Sequence, residues 1–143
     1  MSAEGEIQNL MARYCLMLDE ADFDGLAELL SDCTLRLNGA TATGREEIPQ
    51  LARAALKVHD DGTLLTSHIT SNILIEADES AGTARARSYY TIFQGLEGFP
   101  LQVIATGRWT DRFERKSGQW RFIERDARIH TAGDVSHYIQ TKG

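Results

Sequence analysis

The sequence predicts an α+β domain in which three helices precede a long antiparallel sheet. Apolar residues recur at spacings of three and four in the first part of the chain, and from Thr63 onward this spacing changes to two. The first spacing is typical of an amphipathic helix and the second of a strand with one buried face. Such an order of elements predicts that the helices gather on one face of the sheet. A strongly curved sheet would then enclose a pocket together with them.

The first helix is predicted over residues 4–18 and the second from Phe23 to Leu30. The apolar stripe of the first helix comprises Ile7, Leu10, Met11, Tyr14 and Leu18. The segment "TLRLNG", residues 34–39, is predicted as a short strand that ends in a turn. A third helix is predicted within residues 41–59, where an internal proline allows two different starts.

Four strands are predicted in the second part of the chain, over residues 66–77, 82–96, 100–115 and 119–130. The segments "DESAG", "EGFP" and "KSG" lie between them and carry the Gly, Pro, Asp and Ser residues typical of turns. Short turns of this kind join neighbouring antiparallel strands. We therefore expect a meander, and we expect residues 1–143 to form one domain.

Composition excludes several classes of function. The net charge of -6 argues against a nucleic-acid partner, whose phosphates require clustered Lys and Arg. No apolar run approaches the roughly 20 residues of a membrane span, and the N-terminus lacks the features of a signal peptide, so a cytoplasmic protein is expected. Cys15 and Cys33 have no metal-ligand spacing, and no glycine-rich motif could hold a nucleotide, so we predict no metal and no cofactor.

Asp19 is the first candidate functional residue, because it lies beyond the apolar stripe of the first helix. Alone, such an acid is more often a solvated loop residue or an alternative helix cap. His68 is the second candidate, since an unperturbed imidazole pKa of about 6.5 suits proton abstraction near neutral pH. The alternative for His68 is a solvent-facing polar residue or a hydrogen-bonded core residue.

Three segments, "RYCLMLDEADFDGLAELL", "TSHITSN" and "GRWTDRFERKSGQWRFIER", resemble the SnoaL-like group of the nuclear transport factor two-like fold, and the resemblance covers nearly the whole chain. It implies a cone-shaped α+β barrel. The group includes scytalone dehydratase, the bacterial bile-acid dehydratase and hexachlorocyclohexane dehydrochlorinase. In these enzymes an Asp after the first helix orients a His that acts as the base, and the matching positions are Asp19 and His68.

The resemblance implies roles for two further residues. Tyr14 matches a Tyr of the bile-acid enzyme, and Arg125 matches an Arg of the dehydrochlorinase. Tyr14 is thus either a core residue or a general acid or oxyanion donor. Arg125 either binds substrate or pairs across strands with Glu114, Glu124 or Asp126. A second pocket His of scytalone dehydratase has no counterpart near Thr91 or Phe93, which disfavours a scytalone-type substrate.

The remaining candidates are predicted to contact the substrate rather than to react with it. They are Asn72, as a supporting polar partner, and Tyr89, Phe93 and Trp109, as pocket wall, core or interface. Asp111 is predicted to pair with a neighbouring Arg. The tail contains Tyr138 and Ile139, which are predicted to cover a pocket mouth or a neighbouring subunit unless the tail is disordered.

Together these features predict a cofactor-independent lyase of the dehydratase type that acts on a small hydrophobic ring compound, such as a steroid, polyketide or aromatic metabolite. A ketosteroid-type isomerase or a polyketide cyclase could use the same pocket, because each begins by removing an acidic C–H proton. A non-catalytic module that binds a ligand or a partner chain is the other alternative. The Arg-rich, aromatic sheet surface of residues 85–125 predicts a homo-oligomer, either a trimer or a dimer.

Overall fold

The computed structural model describes residues 1–140. Its elements are α1 (Ala3–Asp19), α2 (Phe23–Leu29), β1 (Thr34–Leu37), β2 (Ala40–Thr43), α3 (Gly44–Ala55), β3 (Thr66–Asp78), β4 (Thr83–Leu96), β5 (Phe99–Lys116) and β6 (Gln119–Ala132). The six strands form one sheet in the order β2-β1-β6-β5-β4-β3. The predicted α+β class, the three helices and the antiparallel meander β3–β6 are confirmed.

The first two helices begin at capped residues. The Ser2 side chain accepts a hydrogen bond from the Gly5 N–H at 3.1 Å, and the Asp22 side chain accepts one from the Gly25 N–H at 2.9 Å. Each cap satisfies a backbone donor that the first helical turn leaves without a partner. The helix α1 then buries its predicted apolar stripe and ends at Asp19. The end of α1 therefore places the Asp19 carboxylate beside the start of β3.

Residues 41–43 were predicted within the third helix, and this prediction is wrong. Together with Ala40 they form β2, which pairs antiparallel with β1 through a tight turn at Asn38 and Gly39, both at positive φ. Four residues of alternating Ala and Thr carry too little hydrophobic contrast to indicate a strand, so the helical pattern that follows them dominated the prediction. The helix α3 begins only at Gly44, and β1 also pairs in parallel with β6, which the sequence did not predict.

The sheet buries one face and leaves the other open. Along β4, residues from Ala84 to Gln94 alternate between buried and more exposed positions, with Tyr90 and Ile92 on the buried side. This face packs against the helices in one hydrophobic core cluster. Register shifts interrupt the pairing of β3 with β4 and of β4 with β5. Such bulges increase local bending, which leaves room between the sheet and the helices.

The segment after β6 turns back over the end of this core. The Lys57 N–H donates to the Tyr138 carbonyl at 2.9 Å, and the Gln140 N–H donates to the Ala55 carbonyl at 2.8 Å. These bonds join the segment to the end of α3 and place Tyr138 in the core cluster. Residues 141–143 of the predicted tail lie outside the described residues. Within residues 1–140, none of the helices is long and apolar enough to cross a membrane.

Candidate active site

A cavity of about 190 Å³ lies between the concave face of the sheet and the helices. Its walls are mostly apolar and include Leu18, Leu37, Leu51, Ala55, Leu56, Ile92, Ile129 and Ile139. Its polar and aromatic groups come from Tyr14, Asn38, His68, Tyr90, Trp109 and Tyr138. A mostly apolar cleft or cavity with a few polar groups is the usual form of a small-molecule site. An engineered apolar cavity of about 150 Å³ is enough to hold benzene, so this one is large enough for a small ring compound.

Asp19 and His68 meet at one side of this cavity. The carboxylate Oδ1 of Asp19 lies 2.5 Å from Nδ1 of His68, and the side chains are 20% and 2% exposed respectively. The chain brings them together because the Leu64 N–H donates to the Asp19 carbonyl at 3.1 Å, which fixes the end of α1 beside the start of β3. The structure thus brings together the two residues that the resemblance had paired.

The Asp19 carboxylate accepts two further hydrogen bonds. The Thr66 hydroxyl donates to Oδ1 at 2.7 Å, and the His68 N–H donates to Oδ2 at 3.0 Å. Both oxygens are therefore held in place. Because a carboxylate only accepts, Nδ1 of His68 carries the proton in this pair. The other ring nitrogen, Nε2, is then left with a free lone pair in the neutral imidazole.

Tyr138 approaches that second nitrogen. Its hydroxyl lies 3.2 Å from Nε2 of His68 and donates to it. Burial raises the pKa of the Tyr138 phenol well above its usual value, so the hydroxyl keeps its proton at neutral pH. Sequence reasoning had given Tyr138 only a covering role. No spacing relative to His68 could have revealed the contact, because the two residues are far apart in the chain and the segment that contains Tyr138 forms neither a helix nor a strand.

Tyr14, a member of the predicted apolar stripe, lines the cavity from α1. Its ring packs edge-on against Trp109, with the ring centroids 5.8 Å apart. Burial raises the pKa of the Tyr14 phenol, and the positive charge of Arg125 opposes this effect. The hydroxyl is therefore a proton-bearing donor. Trp109, predicted as pocket wall, also lines the cavity and stacks on Tyr90 at 4.5 Å.

Arg125 is completely buried but does not line the cavity. Its guanidinium carbon lies 3.7 Å from the ring centroid of Trp109 and 4.2 Å from that of Tyr14. Nε lies 3.4 Å from Oδ1 of Asp111, without the geometry of a hydrogen bond to any described residue. The predicted partner acids were wrong, whereas the prediction that Asp111 pairs with an Arg is confirmed. The positive charge of Arg125 therefore lies behind the rings of Tyr14 and Trp109, which line the cavity.

Asp111, the ion-pair partner of Arg125, is also buried, and this changes the pKa of its carboxyl. Desolvation raises the pKa of its carboxyl to about 6, although the neighbouring Arg125 works in the opposite direction. Asp111 and Arg125 occupy directly paired positions on β5 and β6. Neighbouring strands therefore place this ion pair in the core behind the cavity wall.

Three predicted substrate contacts do not reach the cavity. Tyr89 is 44% exposed on the outer face, where the Arg108 guanidinium lies 3.7 Å from its ring centroid, and Phe93 shares that face. Asn72 has a positive φ at the bulge in β3 and is exposed. The segment "SYYTIFQ" has aromatic residues on both faces, so alternation alone could not tell which face is inside.

Tyr90 is the residue of this segment that reaches the cavity, and the sequence left it open as core, interface or pocket wall. It is buried and lines the cavity, and burial raises the pKa of its phenol to about 12. Gly107 is paired with Tyr90 across β4 and β5, and a Cβ atom there would lie 2.0 Å from Cζ of Tyr90. The glycine inside a predicted strand was a usable indication that a large side chain crosses it.

The fold and the site define a class of α+β proteins with an enclosed pocket and a buried His–Asp pair. The SnoaL-like domain family matches residues 1–126, and the chain belongs to this family. No curated protein matches the sequence. Within residues 1–140, no three His, Cys, Asp or Glu side chains are grouped so that they could hold a metal ion.

Solved structures of the same fold include proteins of unknown function as well as enzymes. A Mycobacterium tuberculosis protein of unknown function is 26% identical, with a TM-score of 0.73, over 88% of this chain and 75% of that one. A candidate scytalone dehydratase from Novosphingobium aromaticivorans is 25% identical, with a TM-score of 0.71, over 92% and 86%. A hexachlorocyclohexane dehydrochlorinase is 19% identical, with a TM-score of 0.72, over 99% and 90%, and shows likeness of fold alone.

Proposed function

We propose that the protein is a lyase of the dehydratase type, which removes water from a small hydrophobic ring compound without a cofactor. The observation that supports this most strongly is the His68 imidazole, oriented by Asp19 at 2.5 Å beside an enclosed apolar cavity. A base within hydrogen-bond reach of an orienting carboxylate is the arrangement that proton abstraction requires. Separation of the two side chains would have favoured a binding module instead.

The proposed reaction begins at Nε2 of His68. This nitrogen takes a proton from a ring carbon beside a carbonyl group, and the electron pair of that C–H bond forms a C=C bond as the C–O bond to the neighbouring hydroxyl breaks. The departing hydroxide takes the proton back from Nε2 and leaves as water. Asp19 stabilises the imidazolium between these two transfers. His68 ends the reaction neutral, so the cycle is complete.

A stereochemical consequence follows from the hydrogen bonds of His68. Because Nδ1 is held by Asp19, only Nε2 is available for both proton transfers. A single nitrogen can take the C–H proton and return it to the departing hydroxyl only if both groups lie on the same face of the substrate ring. We therefore expect elimination from one face of the substrate ring.

Tyr14 and Arg125 support the developing negative charge in this proposal. The Tyr14 hydroxyl donates a hydrogen bond to the carbonyl oxygen of the substrate, and burial keeps its proton in place. Arg125 adds a positive charge behind the rings of Tyr14 and Trp109. It does not touch the substrate, so it is an electrostatic rather than a substrate-binding residue.

The cavity volume limits the substrate class. About 190 Å³ accommodates one ring, or two small fused rings, and is well below the size of a cavity for a drug-sized ligand, about 300 Å³ or more. A steroid does not fit this space while Tyr138 is in place, and a one- or two-ring hydroxyketone is favoured. An isomerase or cyclase would share the first proton abstraction but would not change the mass by one water.

The direct test is a screen of hydroxylated ring ketones, with loss of water followed by mass spectrometry. We expect one or more compounds to lose water with the wild-type protein and not with His68→Ala, whose folding is checked by circular dichroism. Loss of water at equal rates with both proteins would contradict the proposal. A product of unchanged mass would assign the site to an isomerase.

We also propose that the outer face of the sheet joins copies of this chain into a dimer or trimer. Large apolar side chains on and beside this face are exposed, among them Ile69 (49%), Leu74 (50%), Leu101 (77%) and Val103 (46%). A face of this kind on a globular protein usually marks an interface. Light scattering at micromolar concentration tests the proposal, and a monomer of 15.9 kDa would contradict it.

A further inference from the structure

Tyr138 is hydrogen-bonded to Nε2 of His68, the atom that the proposed base uses to take up a proton. Its hydroxyl lies 3.2 Å from Nε2 of His68, and the two ring centroids are 5.9 Å apart. The neutral imidazole has one lone pair on Nε2, and that lone pair already accepts a hydrogen bond. While the Tyr138 phenol stays in place it covers this nitrogen, so a substrate reaches Nε2 only after the phenol has moved away. The described structure is therefore the closed form of the site.

We propose that the Tyr138 phenol holds the place of the ligand's own hydroxyl, so that the site takes a hydroxyl-bearing ring compound that displaces Tyr138 from His68. This inference deepens the proposed function and rests on it, since it names the group of the substrate that meets the base. A ring hydroxyl restores the hydrogen bond that leaves with Tyr138. A ligand without such a donor leaves Nε2 buried without a partner, which is unfavourable.

The contacts of the tail indicate how far Tyr138 moves. His137 is held through its carbonyl, which lies 2.7 Å from Nε2 of His59 and accepts from Nε2 of Gln94 at 3.1 Å. The Lys57 ammonium donates to the Ser136 carbonyl at 2.6 Å. These bonds hold the backbone of the two residues before Tyr138, and the Lys57 N–H holds the Tyr138 carbonyl itself. Displacement is therefore confined to the Tyr138 side chain and its immediate turn, and does not require release of the whole tail.

Selectivity for hydroxylated rings arises because the ligand hydroxyl and the Tyr138 hydroxyl compete to donate the same hydrogen bond to Nε2 of His68. Tyr138 is tethered to the chain, so it returns whenever the cavity is empty and excludes weakly bound apolar compounds. A hydroxylated ring competes because it replaces the bond with an equivalent one. The inner wall beside Tyr138 is aromatic, with Tyr90 and Trp109 stacked at 4.5 Å, and it offers a flat surface to such a ring.

Binding of 4-methylphenol, which reproduces the tyrosine side chain, tests the inference without any turnover. Its affinity is compared with that of 4-methylanisole, which has the same ring but no hydroxyl donor, by titration calorimetry on the wild-type protein. We expect 4-methylphenol to bind about fivefold tighter, the difference that one net hydrogen bond makes. In His68→Ala the preference disappears. Equal affinity of the two compounds for the wild-type protein would overturn the inference.

Tyr138→Phe tests the competition itself, and Tyr89→Phe is the matched control on the outer face. Tyr138→Phe removes the competing hydroxyl and keeps the ring, so we expect 4-methylphenol to bind about fivefold tighter than to the wild type. Acylation of His68 by diethyl pyrocarbonate, mapped by mass spectrometry, should accelerate in the same variant. The control should match the wild type in both measurements. Unchanged affinity and unchanged acylation in Tyr138→Phe would overturn the inference.

These measurements separate the inference from the proposed function. If 4-methylphenol is preferred and Tyr138→Phe binds it tighter, the inference stands even where no ring ketone loses water, and only the dehydratase proposal fails. If water is lost in a His68-dependent reaction but the two ligands bind alike, the dehydratase stands and the role of Tyr138 falls.

Discussion

The carboxylate of Asp19 holds the imidazole of His68 at 2.5 Å, although 48 residues separate them in the chain. It also accepts from the Thr66 hydroxyl and from the His68 backbone. Asp19 thus ties the end of α1 to the start of β3 and sets the tautomer of the base. The structural role and the proposed catalytic role are carried by the same carboxylate.

Asp19→Asn should reduce turnover by about three orders of magnitude, because an amide can present its NH₂ group to Nδ1 and leave the ring in the wrong tautomer. The measurement is kcat on a substrate identified by the water-loss screen. Thermal unfolding of the same variant is the control, since part of the loss could come from the three hydrogen bonds. A variant with normal stability and normal kcat would show that Asp19 does not orient a base.

Gly107→Ala should destabilise the protein by about 1–3 kcal/mol, the usual cost of overpacking a core. The added Cβ would lie 2.0 Å from Cζ of Tyr90, and the ring stacked on Trp109 would have to move. Gly133→Ala is the matched control, because its nearest neighbour would lie at an ordinary 3.4 Å. Equal melting temperatures for the two variants would show that Tyr90 does not depend on the glycine.

Arg125→Met should destabilise the protein by about 3–5 kcal/mol, because it leaves the buried Asp111 without its counterion. Both side chains are 0% exposed, so solvent cannot compensate for the loss. The double variant Arg125→Met with Asp111→Leu removes both charges and should be more stable than Arg125→Met alone. Chemical denaturation measures both. The pairing would be contradicted if the double variant lost as much stability as the sum of the losses in Arg125→Met and Asp111→Leu measured separately.

The pH dependence of stability should change in Asp111→Asn. Burial raises the pKa of Asp111 to about 6 in the folded state, above its ordinary value of 3.8. The folded state therefore holds the proton more tightly between these values, and this contribution to stability is present below pH 4 and lost as pH rises towards 6. Relative to Asp111→Asn, the wild-type free energy of unfolding should fall across that interval by on the order of 2 kcal/mol. A constant difference would contradict the raised pKa.

The sequence predicts the long elements well, because their periodic apolar residues face one large core. It misses β2, whose Ala and Thr residues carry no contrast, and the parallel pairing of β1 with β6, which depends on how the meander curves. It identifies the Asp19–His68 pair through resemblance, since no periodicity links an acid at a helix end to a strand 47 residues later in the chain.

The rest of the site depends on side-chain direction. Tyr89 and Tyr90 are adjacent in the chain, and a shift of one residue decides which of them enters the cavity. Tyr138 follows the last strand in an irregular segment, so only the folded chain shows that it reaches His68. The sequence left Arg125 open between substrate binding and a cross-strand ion pair, and Asp111, directly opposite on β5, holds it in the core.

The central claim is that His68, oriented by Asp19, removes a proton from a carbon of a ligand in this cavity. Deuterium uptake tests this most directly: one- and two-ring hydroxyketones are incubated with the protein in D₂O, and the carbon-bound deuterium of substrate and product is measured by mass spectrometry. We expect uptake or loss of water with the wild type and neither with a folded His68→Ala variant. Equal uptake with the two proteins, or none with the wild type across the series, would contradict the account.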